Sequence, residues 1–389
     1  MRYVLGGDVW QIVQAGKQLT VSANGKPQVR VFRTPEQAAA QLDKLVADKL
    51  AAGFQPALDD PREPALEAAI AADPDNVAAY AVYGDWLESQ GDPRGPLIAL
   101  QLAARTGDAK LEAAAKKQLD AHADYFLGPL AQLAPDDLAW SLGFIHKAYL
   151  HSDRQAPLDE WVARVLTHPS ARFLGELVLT GNSRATEAIA ILAEHAPPTL
   201  RALRLSAMWA QDLGALWPTM PELRSLMIRG QTLALGELEL PKLERLDILD
   251  TSFTFATIHA IAHAPWPALQ QLKLDFGRSY LTGDASIDDV FALLARRDLR
   301  ALTQLALVHT RYVRELVGEL AASPLAPRLE TLDLSHNEMT DVHALELVRH
   351  RAAFPQLQQL DVSGNRLTEI GLRALAEVAP KLRAVRQSS

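Results

Sequence analysis

Leu329-Glu330-Thr331-Leu332-Asp333-Leu334-Ser335-His336-Asn337 is answered further along the chain by Leu357-Gln358-Gln359-Leu360-Asp361-Val362-Ser363-Gly364-Asn365. An earlier copy places Leu174, Leu177, Leu179 and Asn182 at the same spacing. Apolar residues at the fourth and sixth places share one face of a short strand, and the Asn marks where the chain leaves it. Such a unit cannot bury its apolar face alone. Successive units must stack, each adding one strand to a parallel sheet.

Indexed by their first apolar strand residue, the coils begin at Ile145, Leu174, Leu200, Leu223, Leu243, Leu269, Leu302, Leu329 and Leu357, with a last one at Leu382. The long intervals leave room for outer-side helices at 184–194, 254–264, 287–296, 313–321, 342–352 and 369–378. The coil from Leu223 to Pro241 is too short for one and must return through turns. Asn182, Asn337 and Asn365 fall where a side-chain amide can satisfy backbone groups orphaned at the strand end. Asp153, Gln231, Thr251 and Thr310 occupy the same register, whereas Met208 and Gly277 break it. This spacing resembles the leucine-rich repeat, and the longer coils are similar to the ribonuclease-inhibitor subclass. The resemblance implies a binding surface rather than a catalytic one.

Composition supports a folded, water-facing protein. Of 389 residues, 48% are apolar and 22% charged, an ordinary globular balance. No apolar run is long enough to span a membrane, and Asp8 arrives too early for a secretory apolar core, so a cytoplasmic protein is expected. The absence of cysteine excludes disulfides, thiolate metal sites and a cysteine nucleophile. The net charge of −8 disfavours general polyanion binding, although residues 1–56 hold seven Lys/Arg against four Asp/Glu.

The first 55 residues read as a small α+β domain. Val9–Val13 and Gln18–Ser22 are β-rich runs around a turn at Ala15-Gly16-Lys17, and Asn24-Gly25 introduces a third strand over Gln28–Phe32. Thr34-Pro35-Glu36 starts a helix reaching Ala52, with Leu42, Leu45, Val46 and Leu50 on one stripe. The order Val9-Trp10-x-Ile12, hairpin, Phe32, Pro35–Leu50 helix and Gly53-Phe54 resembles a WGR domain. The tripeptide naming that family is absent, and Val21–Gln28 stands in its place. The resemblance implies nucleic-acid contacts as an alternative function, and Lys17, Lys26, Arg30 and Arg33 are the residues that would make them.

Residues 56–64, with three prolines among acids, read as a linker. Residues 65–140 read as a helical domain and N-terminal cap. Ile70, Pro74, Tyr83, Asp85-Trp86-Leu87, Gly91-Asp92-Pro93-Arg94-Gly95, Ile98 and Leu100-Gln101 resemble the bacterial repeat-companion domain, which implies leucine-rich repeats beside it and no chemistry. A tetratricopeptide pair is the rival description, and either way Tyr83 and Trp86 belong in a core. Leu138–Gly143 is expected to close the open end of the array that follows over 141–389. The predicted fold class is an α/β leucine-rich-repeat solenoid of about nine coils behind these two smaller parts.

Chemistry is hard to find. His259 and His263 have the spacing of a shared zinc ion, but Ala260-Ile261-Ala262 supplies no third ligand, so no metal or cofactor is expected. No Gly-rich phosphate loop or nucleophile elbow is present. The inner strand face offers three solvent columns instead. Lys147, Glu176, Ala202, Ser225, Arg245, Gln271, Gln304, Thr331 and Gln359 form the first. Tyr149, Val178, Arg204, Met227, Asp247, Lys273, Ala306, Asp333 and Asp361 form the second. His151, Thr180, Ser206, Arg229, Leu249, Asp275, Val308, Ser335 and Ser363 form the third. Arg beside Met and mixed charge suits a protein partner. Tyr149, Arg204, Met227, Arg229, Arg245, Asp247, Lys273 and Asp275 are the predicted contact residues of a non-enzymatic interaction module. Control of a partner enzyme, such as a small GTPase or a nuclease, is a narrower alternative.

Overall fold

The computed structural model of the chain describes residues 2–5, 8–23, 26–57, 60–152, 156–277, 287–310 and 313–387. It divides into two compact units, Met1–Ala69 with Asn76–Gln132, and Ile70–Asp75 with Leu133–Ser389. The expected turn at Asn24-Gly25 and the register position of Asp153 lie outside the described residues.

In the first unit, β1 (Arg2–Leu5), β2 (Asp8–Ala15), β3 (Gln18–Ala23) and β4 (Lys26–Val31) precede helix α1 (Pro35–Ala51) and β5 (Gln55–Ala57). The sheet is antiparallel in the order β4-β3-β2-β1-β5. Thr34 caps α1 by accepting from the Gln37 N–H at 3.3 Å. Trp10, Ile12 and Leu19 pack against Ala38 and Leu42, while Leu50, expected on the apolar stripe, is exposed.

Helix α2 (Pro64–Ala72) begins in that unit and ends in the other, and α3 (Val77–Ser89), α4 (Arg94–Ala104), α5 (Ala109–Ala121) and the short α6 (Ala123–Leu127) complete the first unit's helices. The Gly-Asp-Pro-Arg-Gly motif now has a physical explanation. A Cβ on Gly95 would run into the backbone of Gly84 and Glu88, so glycine lets α3 and α4 touch closely. Arg94, 1% exposed, forks onto Asp92 and reaches Asp60 and the Tyr125 hydroxyl, each at 3.0 Å. Burial works against the Arg94 charge, but the Asp92 carboxylate more than restores it, and its pKa lies above the usual value. Tyr83 is fully buried, and Trp86, half-buried, stacks on it with centroids 5.7 Å apart.

The second unit carries the repeats. Its sheet is ordered sequentially from β6 (Leu138–Ser141) and β7 (Phe144–His151) through β8 (Glu176–Thr180), β9 (Ala202–Trp209), β10 (Ser225–Gln231) and β11 (Arg245–Asp250). It continues through β12 (Gln271–Asp275), β13 (Gln304–Val308), β14 (Thr331–Asp333), β15 (Gln359–Asp361) and β16 (Lys381–Arg383). β6 pairs antiparallel with β7 and so covers the starting edge, while all later pairs are parallel. Helices α7 (Leu158–Leu166), α8 (Ala185–His195), α9 (Phe255–His263), α10 (Ile287–Leu294), α11 (Val313–Ala322), α12 (Asp341–Arg349) and α13 (Glu369–Leu375) connect the strands. As its length required, the segment between β10 and β11 has no helix. Leu382 pairs with Leu360, so it holds the middle apolar place of its coil rather than the first, which falls to Ala379.

The asparagines do what their register implied. Asn365, fully buried, accepts from the N–H groups of Asn337 and Met339 and donates to the carbonyls of Leu334 and Val362, at 2.7–3.0 Å. Asn337 accepts from Thr310 N–H at 2.6 Å and donates to the Leu307 carbonyl at 2.7 Å. In the middle coils this work passes to Asp250, one place before the expected Thr251. Fully buried, it accepts from the N–H groups of Thr232, Leu233 and Ser252. Trp217 and Trp266, also fully buried, bridge coils by donating to the carbonyls of Leu235 and Leu238.

Candidate protein-binding face

The strand registers bring the solvent columns together as read. Lys147, Glu176, Ala202, Ser225, Arg245, Gln271, Gln304, Thr331 and Gln359 are successive partners, and so are Tyr149, Val178, Arg204, Met227, Asp247, Lys273, Ala306, Asp333 and Asp361. The third column holds from His151 through Val308. The intervening leucines are buried on the other face. Between β9 and β14 the open face dips into a groove of about 380 Å³ whose walls include Arg204, Met227, Arg245, Asp247, Lys273 and Ala306.

Charge is distributed unevenly along this face. At its start, Glu176 holds both Lys147 Nζ at 2.9 Å and Arg204 Nε at 3.3 Å, and Lys147 sits 4.5 Å above the Tyr149 ring. Burial alone would lower the Lys147 pKa, but its hydrogen bonds to Tyr149 and Glu176 raise it instead. In the middle, Arg229 Nη2 stands 3.8 Å from Asp247 Oδ2. Burial raises the Asp247 pKa despite the attraction of Lys273 and Arg229. Arg245 and Lys273 form no ion pair among the described residues.

Asp275 departs from expectation. It is 9% exposed, and its Oδ1 accepts from Gly277 N–H at 2.9 Å and lies 2.8 Å from His309 Nδ1. Asp333 and Asp361 likewise accept from the N–H groups of Ser335 and Ser363 at 2.8 Å. An aspartate at a strand end can close an Asx turn onto the backbone two residues on, and these three do so. Asp275 therefore closes a turn and is hydrogen-bonded to His309 at the edge of the face.

One residue of the face escaped the sequence reading. Ser206 pairs with Arg229, but the next pair is Met208 with Gly230, so Ala207 is an extra residue in β9. Its φ of 57° is left-handed, as is the 50° of Ala210. A Cβ on Gly230 would collide with the Met208 carbonyl oxygen, so only glycine lets the bulge close. The bulge buries Met208 and turns Trp209 out to 58% exposure at the strand end, along the sheet from Arg229. The Trp209 N–H is held by Asn182 Oδ1 at 3.2 Å. Two alanines in a conformation that costs each about 1 kcal/mol bracket a large exposed aromatic side chain. Nothing in the periodicity signals this, because neither alanine looks like a turn residue.

Of the four basic candidates in the first unit, three gather at one end of a ladder and the fourth stands at the other. Lys17, Lys26, Arg30 and Arg33 are all exposed, but Lys26 and Arg30 stand at opposite ends of β4, about 14 Å apart. Lys17 and Arg33 lie at the Arg30 end of that ladder. His259 and His263 lie with ring centroids 4.1 Å apart and planes tilted by 32° on exposed α9 turns, and among the described residues no group of three potential ligands surrounds a metal position.

A family model of leucine-rich repeats, in two copies, matches residues 327–375. No curated protein matches the chain. Among solved structures, a Bacteroides fragilis protein from a structural genomics consortium is 17% identical, with a TM-score of 0.56 over 100% of this chain and 96% of that one. At that identity the likeness is one of fold alone. The TLR13–ssRNA13 complex is 14% identical over 63% of this chain and 38% of the other, and its TM-score of 0.34 carries no argument. The chain carries leucine-rich repeats within a mixed α/β fold.

Proposed function

We propose that this chain is a non-enzymatic protein-interaction module whose repeat sheet receives a partner protein on its open face. The observation that carries this reading is the grooved middle of the sheet, walled by Arg204, Met227, Arg245 and Lys273, with Trp209 held out by a strained bulge further along β9, beside the strand-end position two residues after Arg229. Arg and Met in a central depression, with an exposed Trp on the same sheet beyond its end, are residue types enriched where proteins bind proteins. The face also keeps Asp247 half-buried at an electrostatic cost, a pattern frequent at functional sites. Among the described residues no helix is long and apolar enough to cross a membrane. Within this proposal, residues 1–57 form a WGR-like head, its last strand taking Pro56 and Ala57 from the expected linker, 64–140 a repeat-companion domain and cap, and 141–389 the receiving array.

A photo-cross-linking amino acid placed at Gln271 on the open face, or at Val342 on α12, tests the reading in cells producing the full chain. Val342 is 69% exposed, so access does not favour the first site. A discrete protein adduct from Gln271 and none from Val342 is expected. Adducts from Val342 alone would move the binding surface to the helical side.

A further inference from the structure

We infer that His259 and His263 chelate a divalent transition-metal ion of the copper, nickel and zinc group on the helical side of the repeats, whatever the sheet face binds. Their four-residue spacing puts both rings on one face of α9, one turn apart. Both side chains are exposed, and their ring centroids lie 4.1 Å apart. The structure adds what the spacing alone could not show. His263 Nδ1 lies 2.9 Å from the His259 carbonyl oxygen. A carbonyl oxygen only accepts, so Nδ1 carries the proton and Nε2 of the neutral ring keeps its lone pair. Anchoring one ring nitrogen on a backbone carbonyl is how proteins orient an imidazole that binds metal through the other.

The second ligand has to turn, and it is free to. An ion about 2.0–2.1 Å from each of two ring nitrogens lies in the plane of both rings. Rings tilted by only 32° at this separation face each other instead. His259 has no side-chain hydrogen bond among the described residues, and beyond His263 its ring meets Phe255 with centroids 5.4 Å apart, so rotating it gives up ring contacts alone. The cation already at this end of α9 is answered locally: Arg296 donates to the Ile261 and Ala264 carbonyls and pairs with Asp298. Among the described residues no third ligand stands by, so water fills the remaining coordination positions. Imidazole nitrogens suit copper above nickel and zinc, whereas calcium and magnesium take oxygen ligands. The chain has no cysteine to draw the ion elsewhere.

The test is calorimetric titration of the full chain with divalent copper, nickel and zinc, joined to electron paramagnetic resonance of the copper complex. The native chain should give a copper signal split by two imidazole nitrogens, and affinity should be highest for copper. Chelation makes the second bond intramolecular, so H259A and H263A should each weaken copper binding at least about tenfold. Alanine favours the helix at both places, so loss of fold does not account for such a change. The double variant A256H/H259A keeps the number of histidines but sets the rings seven residues apart, about 10 Å along the helix, and should bind no better than H259A. Native affinity in that double variant, unchanged affinity in H263A, a copper signal without two nitrogens, or no binding at millimolar copper would each overturn the inference.

Discussion

The C-terminal coils and the middle coils use the same strand register for different ends. From β13 onward the pattern is regular: Asn337 and Asn365 lie fully buried between coils, and Asp333 and Asp361 close the turns after β14 and β15. From β9 to β12 the same positions are irregular. Met208 and Asp250 replace the asparagines, a bulge interrupts β9, the connections from β9 to β10 and from β10 to β11 have no α-helix, and among the described residues Arg245 and Lys273 form no ion pair. Regular coils devote their polar side chains to their own backbone. The irregular ones leave side chains free to meet something else.

The largest effect should come from breaking the regular side. Asn365→Ala removes four hydrogen bonds and orphans buried backbone groups on both sides, at a cost of about 3 kcal/mol or more. Urea unfolding measures it, and a loss below about 1 kcal/mol would show that the asparagines are ornamental. Next comes Gly230→Ala, which forces a Cβ onto the Met208 carbonyl and should cost about 2 kcal/mol. Its companion Ala207→Gly relieves the left-handed strain and should gain about 0.5 kcal/mol, the relief exceeding the added chain entropy. A loss from Ala207→Gly would mean that the bulge stores no strain.

A smaller effect sharpens the electrostatic half of the comparison. The folded-state pKa of Asp247 is raised, so its contribution is most stabilising below the unfolded value near pH 4 and is lost as pH rises through the folded value. At neutral pH the ionised carboxylate therefore burdens the fold. Asp247→Asn should raise Tm by about 1 °C at pH 7 and by nothing at pH 3.5. A lower Tm at pH 7 would mean that the pairing with Arg229 and Lys273 outweighs burial.

Strand order and register were legible because leucine periodicity is long and repeated, and a one-residue slip would expose every leucine. Asn337 and Asn365 were legible for the same reason. The substitution of Asp250 for Asn was not, since a carboxylate can reach the same N–H groups from one place earlier. Asp275 looked like a solvent position by alternation, but alternation ends where the strand does. In the head, three strands were read and five are present. Arg2–Leu5 is short, and Gln55-Pro56-Ala57 looked like linker because of its proline, which an edge strand tolerates. Trp209 was missed because a bulge shifts register without leaving a glycine in its own strand.

The central claim is that the middle coils bind and the regular coils hold, and one paired measurement tests it most directly. The triple variant Arg204→Glu/Arg229→Glu/Arg245→Glu is compared with the native chain for its urea midpoint and for its yield of the partner captured through Gln271. Exposed charges of this kind change stability little, so the unfolding free energy drawn from the midpoint should move by less than about 1 kcal/mol while capture falls at least tenfold. Full capture by the triple variant, at an unchanged midpoint, would contradict the account.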